Sequence, residues 1–279
     1  MPASPDPNDQ NPSEGRPSES SPISSLAATP REQGRRETLG EFVRTIVYAL
    51  LIALAFRVVL FQPFSIPSGS MKSTLLVGDY LFVSKYAYGY SRYSLPFSPD
   101  LFSGRILARE PERGDVIVFK LPTDNATDYV KRLVGLPGDR IQVQRSRLYI
   151  NGELLPQRRI ADFSDLLPDG RKINHARFIE TMPNGREYEV LNYSDHSPTD
   201  NTPEFVVPAG HYFMMGDNRD DSMDSRTTHV GYVPAENLIG RAEIIFLSAQ
   251  DEPDGRGGLT SNPLAFWTWR LQRFFTVVD

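Results

Sequence analysis

The chain of 279 residues is 39% hydrophobic and 23% charged, which suits one or two globular domains with a sizeable core. Its net charge of -5 gives no basis for binding nucleic acid. With no cysteine, disulfides, thiolate catalysis and Cys-ligated zinc are excluded. His175, His196, His211 and His229 show no HExxH spacing, so neither a metal nor a cofactor is expected.

Residues 1–37 are dominated by Pro, Ser, Glu, Asn and Asp, too polar to offset the entropy of ordering, and read as a disordered tail. Residues 38–61 form the one stretch long and apolar enough to cross a bilayer. From Phe42 to Phe61 a helix would run about 30 Å, the thickness of the hydrocarbon core. Arg44 lies near one end and Arg57 about a turn from the other, where long side chains reach headgroups. A cleaved signal peptide has a shorter apolar region ending in small residues, whereas this one ends in Phe61-Gln62-Pro63-Phe64. An uncleaved anchor is therefore preferred over a signal peptide or a buried core helix. Arg31, Arg35, Arg36 and Arg44 precede or enter the span, so the positive-inside rule places the tail in the cytoplasm and the rest beyond the membrane.

Ser70 follows closely, within about 30 Å of Phe61 even on a fully extended chain. Pro67 stiffens the backbone and Gly69 frees it, so the serine sits on a bend before the apolar Met71, Leu75, Leu76 and Val77. Such a hydroxyl can point into a cleft, or the bend can be a plain turn joining anchor to domain.

Beyond the anchor the pattern is β. Short β-rich runs are expected at Tyr80–Val83, Val116–Phe119, Tyr129–Val134, Ile141–Val143, Arg147–Ile150, Phe178–Thr181, Glu187–Leu191, Phe205–Val207, Tyr212–Met215 and Ala242–Phe246. Asn151-Gly152 and Pro183-Asn184-Gly185 predict hairpins. Residues 62–139 and 206–250 are read as one β core and 140–205 as an inserted, mostly antiparallel smaller lobe. Residues 251–279 mix aromatic and basic side chains from Leu264 to Phe275, which suits either an interfacial segment on lipid headgroups or a helix packed on the domain.

Two further blocks carry chemistry. In a strand through Tyr129-Val130-Lys131-Arg132-Leu133, Lys131 shares a face with Tyr129 and Leu133. A strand lysine ordinarily snorkels to water. To act as a general base at pH 7 it must lose its proton, which requires lowering its pKa by more than about three units, and full burial among apolar groups supplies about that much. A buried Lys131 could then deprotonate Ser70 without a histidine. The second block, Gly216 to Arg226, holds four aspartates within eight residues. An EF-hand begun at Asp217 would need Gly at its sixth position and Glu at its twelfth, where Ser222 and Thr228 stand. Arg219 and Arg226 can pair with the loop's own carboxylates, so a rigid scaffold loop is preferred to a calcium site.

Together, Ile66-Pro67-Ser68-Gly69-Ser70-Met71, Arg113-Gly114-Asp115-Val116, Tyr129-Val130-Lys131-Arg132 and Gly216-Asp217-Asn218-Arg219-Asp220-Asp221-Ser222-Met223-Asp224-Ser225-Arg226, in that order after an anchor, closely resemble the bacterial type I signal peptidases of peptidase family S26. The resemblance covers about residues 40–250. It implies a mainly β fold, in which a transmembrane helix precedes a signal-peptidase/LexA-like antiparallel β catalytic domain with an inserted smaller β lobe. It further implies Ser70 as nucleophile and Lys131 as general base, with the Ser68 hydroxyl and the Ser70 N–H forming the oxyanion hole. Ser222 is expected to hydrogen-bond the lysine, Asp224 and Arg226 to hold the loop, and Ile66, Pro67, Met71, Leu75, Tyr129 and Val130 to line shallow substrate pockets. The implied substrates are exported preproteins with signal peptides ending in A-x-A type sites, cleaved at the outer face of the bacterial inner membrane against lipid and near the translocon. One departure is visible, since the family usually has proline where Ser73 stands.

Rival readings differ at specific places. A LexA-type self-cleaving repressor calls for a soluble chain with a DNA-binding helical domain. A penicillin-recognising enzyme needs S-x-x-K, but Ser73 lies three residues after Ser70 and no K-T-G occurs. A membrane-anchored binding or assembly protein would leave Ser70 as a turn residue.

Overall fold

The computed structural model describes residues 39–166, 171–194, 196–253 and 259–279. The tail at 1–37 lies outside them, as do the arginines at 31, 35 and 36. Two compact units divide the chain at Thr45 and Ile46; of the first, only the opening turns of the N-terminal helix are described.

That helix, α1, spans Leu39–Val59, is mostly apolar with its charged residues Glu41, Arg44 and Arg57 towards the two ends, and has no buried residue. At 21 residues it is long and apolar enough to cross a membrane. It stops short of the expected end at Phe61, because the next residues are recruited into a strand. Pro63 has no N–H to give, which an edge strand tolerates and a helix interior does not.

The rest of the chain is mainly β. In order, β1 is Phe61–Ser65, β2 Asp79–Ser84, β3 Val116–Lys120, β4 Asp128–Gly135, β5 Arg140–Gln144 and β6 Arg147–Ile150. Then come β7 Glu153–Leu154, β8 Gln157–Leu166, β9 Lys172–Thr181, β10 Glu187–Asn192, β11 Phe205–Val206 and β12 His211–Met215. The last are β13 Val233–Pro234, β14 Leu238–Ser248, β15 Asp251–Pro253, β16 Leu259–Ser261 and β17 Thr276–Val277.

The main sheet runs β1-β2-β14-β3-β4-β12-β13, antiparallel throughout, with β17 alongside β14. β14 is long enough to pair with β3 through its first residues and with β17 through Ile244 and Ile245. Bulges along it bend the strand and turn the sheet around a core of Leu81, Val83, Val116, Val118, Ile239 and Ile245. Between residues 140 and 206 lie two smaller sheets, β10-β9-β8 and β11-β5-β6-β7. Their apolar faces do not form a separate core: Ile141, Val143, Leu148 and Val190 pack in one cluster with Val134, Phe213 and Met215 of the main sheet.

The Asn-Gly turn at 151–152 behaves as its chemistry requires. Asn151 and Gly152 both take positive φ, as a two-residue hairpin turn demands, and join β6 to β7. Arg145 and Ser146 make the same kind of turn between β5 and β6 without glycine or asparagine, and so give no sequence signal.

The C-terminal segment is not a helix. Short 3-10 turns at Phe266–Thr268 and Leu271–Arg273 lead into β17. Arg273 grips Asp79 through Nη2 at 2.6 Å and Nε at 3.1 Å, and the Arg270 N–H donates to the Ser248 carbonyl at 2.8 Å. Phe266 and Trp267 nevertheless remain 69% exposed, with Leu271 and Phe275 similarly bare. One segment is therefore tied to the domain by its arginines and turns its aromatics outward.

Candidate active site

Ser70 reaches the site through the path of the chain after β1. Ile66 N donates to Asp79 O at 2.8 Å and Gly78 N to Ile66 O at 3.0 Å, which closes the segment 66–78 into a loop. Within it Gly69–Met71 form a 3-10 turn. Met71 and Leu75 are wholly buried in the main-sheet core, where they act as plugs that fix the turn's orientation. They do not line the cleft, contrary to the expectation for substrate pockets: on this tight turn they project inward, away from the side the serine faces.

Asn218 pins the turn from the other side. Its backbone N–H donates to Ser70 O at 3.1 Å, and its Nδ2 donates to Gly69 O at 3.0 Å and to the Tyr193 hydroxyl at 2.7 Å. The sequence placed Asn218 in the loop but gave it no role. Gly216 permits this approach, since a Cβ there would lie 2.2 Å from Ser222 Oγ and 2.5 Å from Ser70 O. Ser73, at the position where the resembled family has proline, has φ of 82°, which a ring locked near -65° cannot adopt. Its hydroxyl donates to Glu189 O at 3.1 Å.

Lys131 arrives from β4, paired on one side with β3 (Ile117 opposite Lys131) and on the other with β12, which runs directly into the aspartate loop. Its Nζ lies 2.7 Å from Ser70 Oγ and donates to Val130 O at 3.0 Å. The residue is 3% exposed, with the Tyr129 ring 5.2 Å from its nitrogen. Burial pushes its pKa down to about 8, opposed chiefly by the carboxylates of Asp224 and Asp217. The shift is smaller than the more than three units set out from sequence, because the loop that packs over the amine is acidic.

A lowered lysine pKa alone does not single out a base. Lys85 is equally buried and is pushed down to about 8 by burial and by Arg57, but its ammonium donates to the Ser94 carbonyl. Only Lys131, of the two, meets a hydroxyl.

The aspartate loop is braced from outside as much as within. Arg226 forks onto Asp224, Nε to Oδ1 at 2.9 Å and Nη2 to Oδ2 at 2.8 Å, and also donates to Arg219 O at 2.6 Å. The pair is buried, and Arg226 holds the Asp224 carboxyl below its usual range against the burial that would raise it. Arg219, expected to serve the loop's own carboxylates, instead leaves the loop for Glu180 at 2.5 Å, while Asp217 is taken by Arg132 at 2.8 Å. Ser222 does not hydrogen-bond Lys131. Its Oγ is buried without a hydrogen bond of good geometry, near enough to Asp224 to favour that carboxylate's charge, while Lys131 Nζ donates to Ser70 and Val130.

These groups share a cleft of about 590 Å³. Ser70, Lys131 and Ser222 line it, as do the expected Ile66, Pro67, Tyr129 and Val130. Phe64, Val118 and Met223 add apolar wall that sequence reasoning missed, because they come from β1, β3 and the aspartate loop, which only the tertiary fold brings together. Ser68 is on the rim, its hydroxyl 3.4 Å from Ser70 Oγ, beyond the usual range for a strong O–H···O bond. Asp128, Asp220 and Asp221 also border the cleft. Among the described residues no cluster of His, Asp and Glu is arranged to hold a metal ion.

Comparison with known proteins identifies the family. The family model described as "Signal peptidase, peptidase S26" matches residues 39–247. The chain is similar to the signal peptidase I of Rickettsia typhi, 43% identical over 222 residues that make up 77% of this chain and 82% of that one. It is similar to the signal peptidase I of Rickettsia akari at 44% over 211 residues, 73% of this chain and 77% of that one. A solved signal peptidase I from Enterococcus faecalis V583 shares 28% identity, with a TM-score of 0.28 over 48% of this chain and 97% of that one, a superposition too poor to carry an argument. The match of family model and relatives over most of the sequence means that the chain belongs to the signal peptidase family, peptidase S26, and is a serine endopeptidase of the type I signal peptidase class.

Proposed function

We propose that this enzyme removes signal peptides from exported preproteins after small-residue sites of A-x-A type, through an acyl-enzyme on Ser70 with Lys131 as general base. The observation that carries this reading is the 2.7 Å approach of a buried Lys131 Nζ to Ser70 Oγ. With a pKa of about 8, about a tenth of the amine is neutral at pH 7 before substrate covers it. Neutral Nζ takes the Oγ proton as Oγ attacks the scissile carbonyl carbon. The oxyanion so formed is met by the Ser70 N–H and the Ser68 hydroxyl, each worth on the order of 3 kcal/mol in such a role. The lysine ammonium then gives its proton to the leaving amine as the C–N bond breaks. Water, deprotonated by the same lysine, attacks the ester, and Ser70 recovers its proton.

Ile66, Pro67, Tyr129 and Val130, with Phe64 and Val118, supply apolar walls that suit an alanine methyl group. Asp224 and Arg226 hold the loop over the amine. The helix at Leu39–Val59 acts as a single-pass anchor in the bacterial inner membrane, N-terminus in the cytoplasm and cleft on the periplasmic side. Phe266, Trp267, Leu271 and Phe275 rest against lipid headgroups, and the substrate route favours proximity to the translocon. The test is cleavage of one A-x-A preprotein in detergent by wild type, Ser70→Ala and Lys131→Ala, with thermal melts to show retained folding. Each variant is expected to lose at least roughly a thousandfold in rate; wild-type cleavage by either overturns the mechanism.

A further inference from the structure

We propose that the chain carries a second site, in the β5–β10 region, for a small tetrahedral oxyanion of the phosphate class. A cavity of about 130 Å³, separate from the catalytic cleft, is lined by Arg145, Ser146, Arg147 and Arg219 together with Gln157, Asn192, Phe178 and Val190. That is the liquid volume of about four waters at ~30 Å³ each, enough for a phosphate ion and too little for a nucleotide.

Its charges do not balance internally. Arg219 is paired with Glu180, but neither Arg145 nor Arg147 has a carboxylate partner among the described residues. Arg147 Nη2 donates to Leu155 O at 2.9 Å, which leaves its Nε free. Arg147 Nε, Arg219 Nε and Ser146 Oγ are all buried without a hydrogen-bond partner. An oxyanion in the cavity meets the positive charge that Arg145 and Arg147 leave without a carboxylate. A guanidinium's planar fork matches the oxygen spacing of phosphate.

The backbone at the cavity's mouth is built rather than incidental. Arg145 and Ser146 hold φ of 49° and 62°, a conformation glycine would take more readily. They are kept there by Arg145 N donating to Asn201 Oδ1 and Ser146 N to Asp200 O, both at 3.0 Å. Arg219 immediately precedes Asp220, Asp221 and Ser222, which line the catalytic cleft.

The phosphate can come from free solution or from a lipid headgroup. Thermal unfolding of the full chain in non-ionic detergent, with inorganic phosphate titrated at constant ionic strength, should show a saturable rise in Tm for wild type. Arg145→Gln/Arg147→Gln should abolish that rise while cleaving a preprotein at the wild-type rate; Arg145→Gln alone, at the exposed turn, should weaken it and serves if the double variant does not fold. No saturable rise in wild type, or an equal rise in the variants, overturns the proposal. Reconstitution in phosphatidic acid vesicles, against phosphatidylcholine, separates the sources: a higher Tm with a blunted response to free phosphate assigns the lipid headgroup, and an unchanged response assigns the free ion.

Discussion

Lys131 and Arg132 are neighbours on one strand, both cationic and both nearly inaccessible, and they meet opposite treatment. Arg132 receives Asp217 in a two-pronged pair at 2.8 Å on each side, donates to the Gly114 and Asp279 carbonyls, and lies under the Tyr188 ring at 4.4 Å. Burial works against its charge, but Asp217 outweighs burial and holds its pKa above the ordinary value. Lys131 has no carboxylate in contact, only a hydroxyl and a carbonyl, so burial prevails. Successive strand residues face opposite sides of the sheet, and the partner waiting on each side decides whether a buried cation is structural or reactive.

The comparison breaks first at the proton. Lys131→Arg keeps the charge but presents a group that does not deprotonate in proteins, so preprotein cleavage is expected to fall by roughly 10⁴-fold at every pH tested, with folding retained. A rate within tenfold of wild type would remove the need for a neutral amine. On the other face, Arg132→Met strands Asp217 in the interior and should cost about 3–5 kcal/mol of unfolding free energy, measured by denaturant titration.

Lys131→Met should do the reverse to stability. The folded pKa of about 8 lies below the ordinary 10.5, so between those values the unfolded chain binds the extra proton and wild-type stability climbs with pH. Below pH 8 the full penalty applies, on the order of 3 kcal/mol, and the Met variant should exceed wild type by up to that amount at pH 7. The advantage should shrink above pH 8 and vanish beyond 10.5. The smallest effect sharpens the electrostatics: activity should rise with pH through about 8, and Asp221→Asn, which removes one of the carboxylates that hold the ammonium charged, should move that limb towards acid by roughly a few tenths of a pH unit.

Much of this architecture was readable beforehand because it follows from local rules. An apolar run of bilayer length, β-rich runs within Val116–Lys120 and Asp128–Gly135, and Asn-Gly at 151 announce themselves through composition and turn chemistry. The failures are equally local. Phe61–Ser65 was hidden behind the span because its strand character comes from pairing with Asp79–Ser84, and the turn at Arg145-Ser146 lacks the residues that usually mark it. Met71 and Leu75 were assigned to the cleft by adjacency to Ser70, yet a tight turn sends neighbours in different directions.

What the residue order alone determined is the inventory: a membrane-length helix, a β domain, a serine on a bend, a lysine in a strand and an acidic loop without the ligands of a calcium site. Only the tertiary structure decided that Lys131 is dry, that Ser70 stands within hydrogen-bonding distance of it, and that Arg219 serves Glu180 rather than its own loop. The reason is that burial and charge pairing depend on strands distant in sequence, here Val116–Lys120 and His211–Met215 flanking Asp128–Gly135, and no local pattern records which partner they will bring.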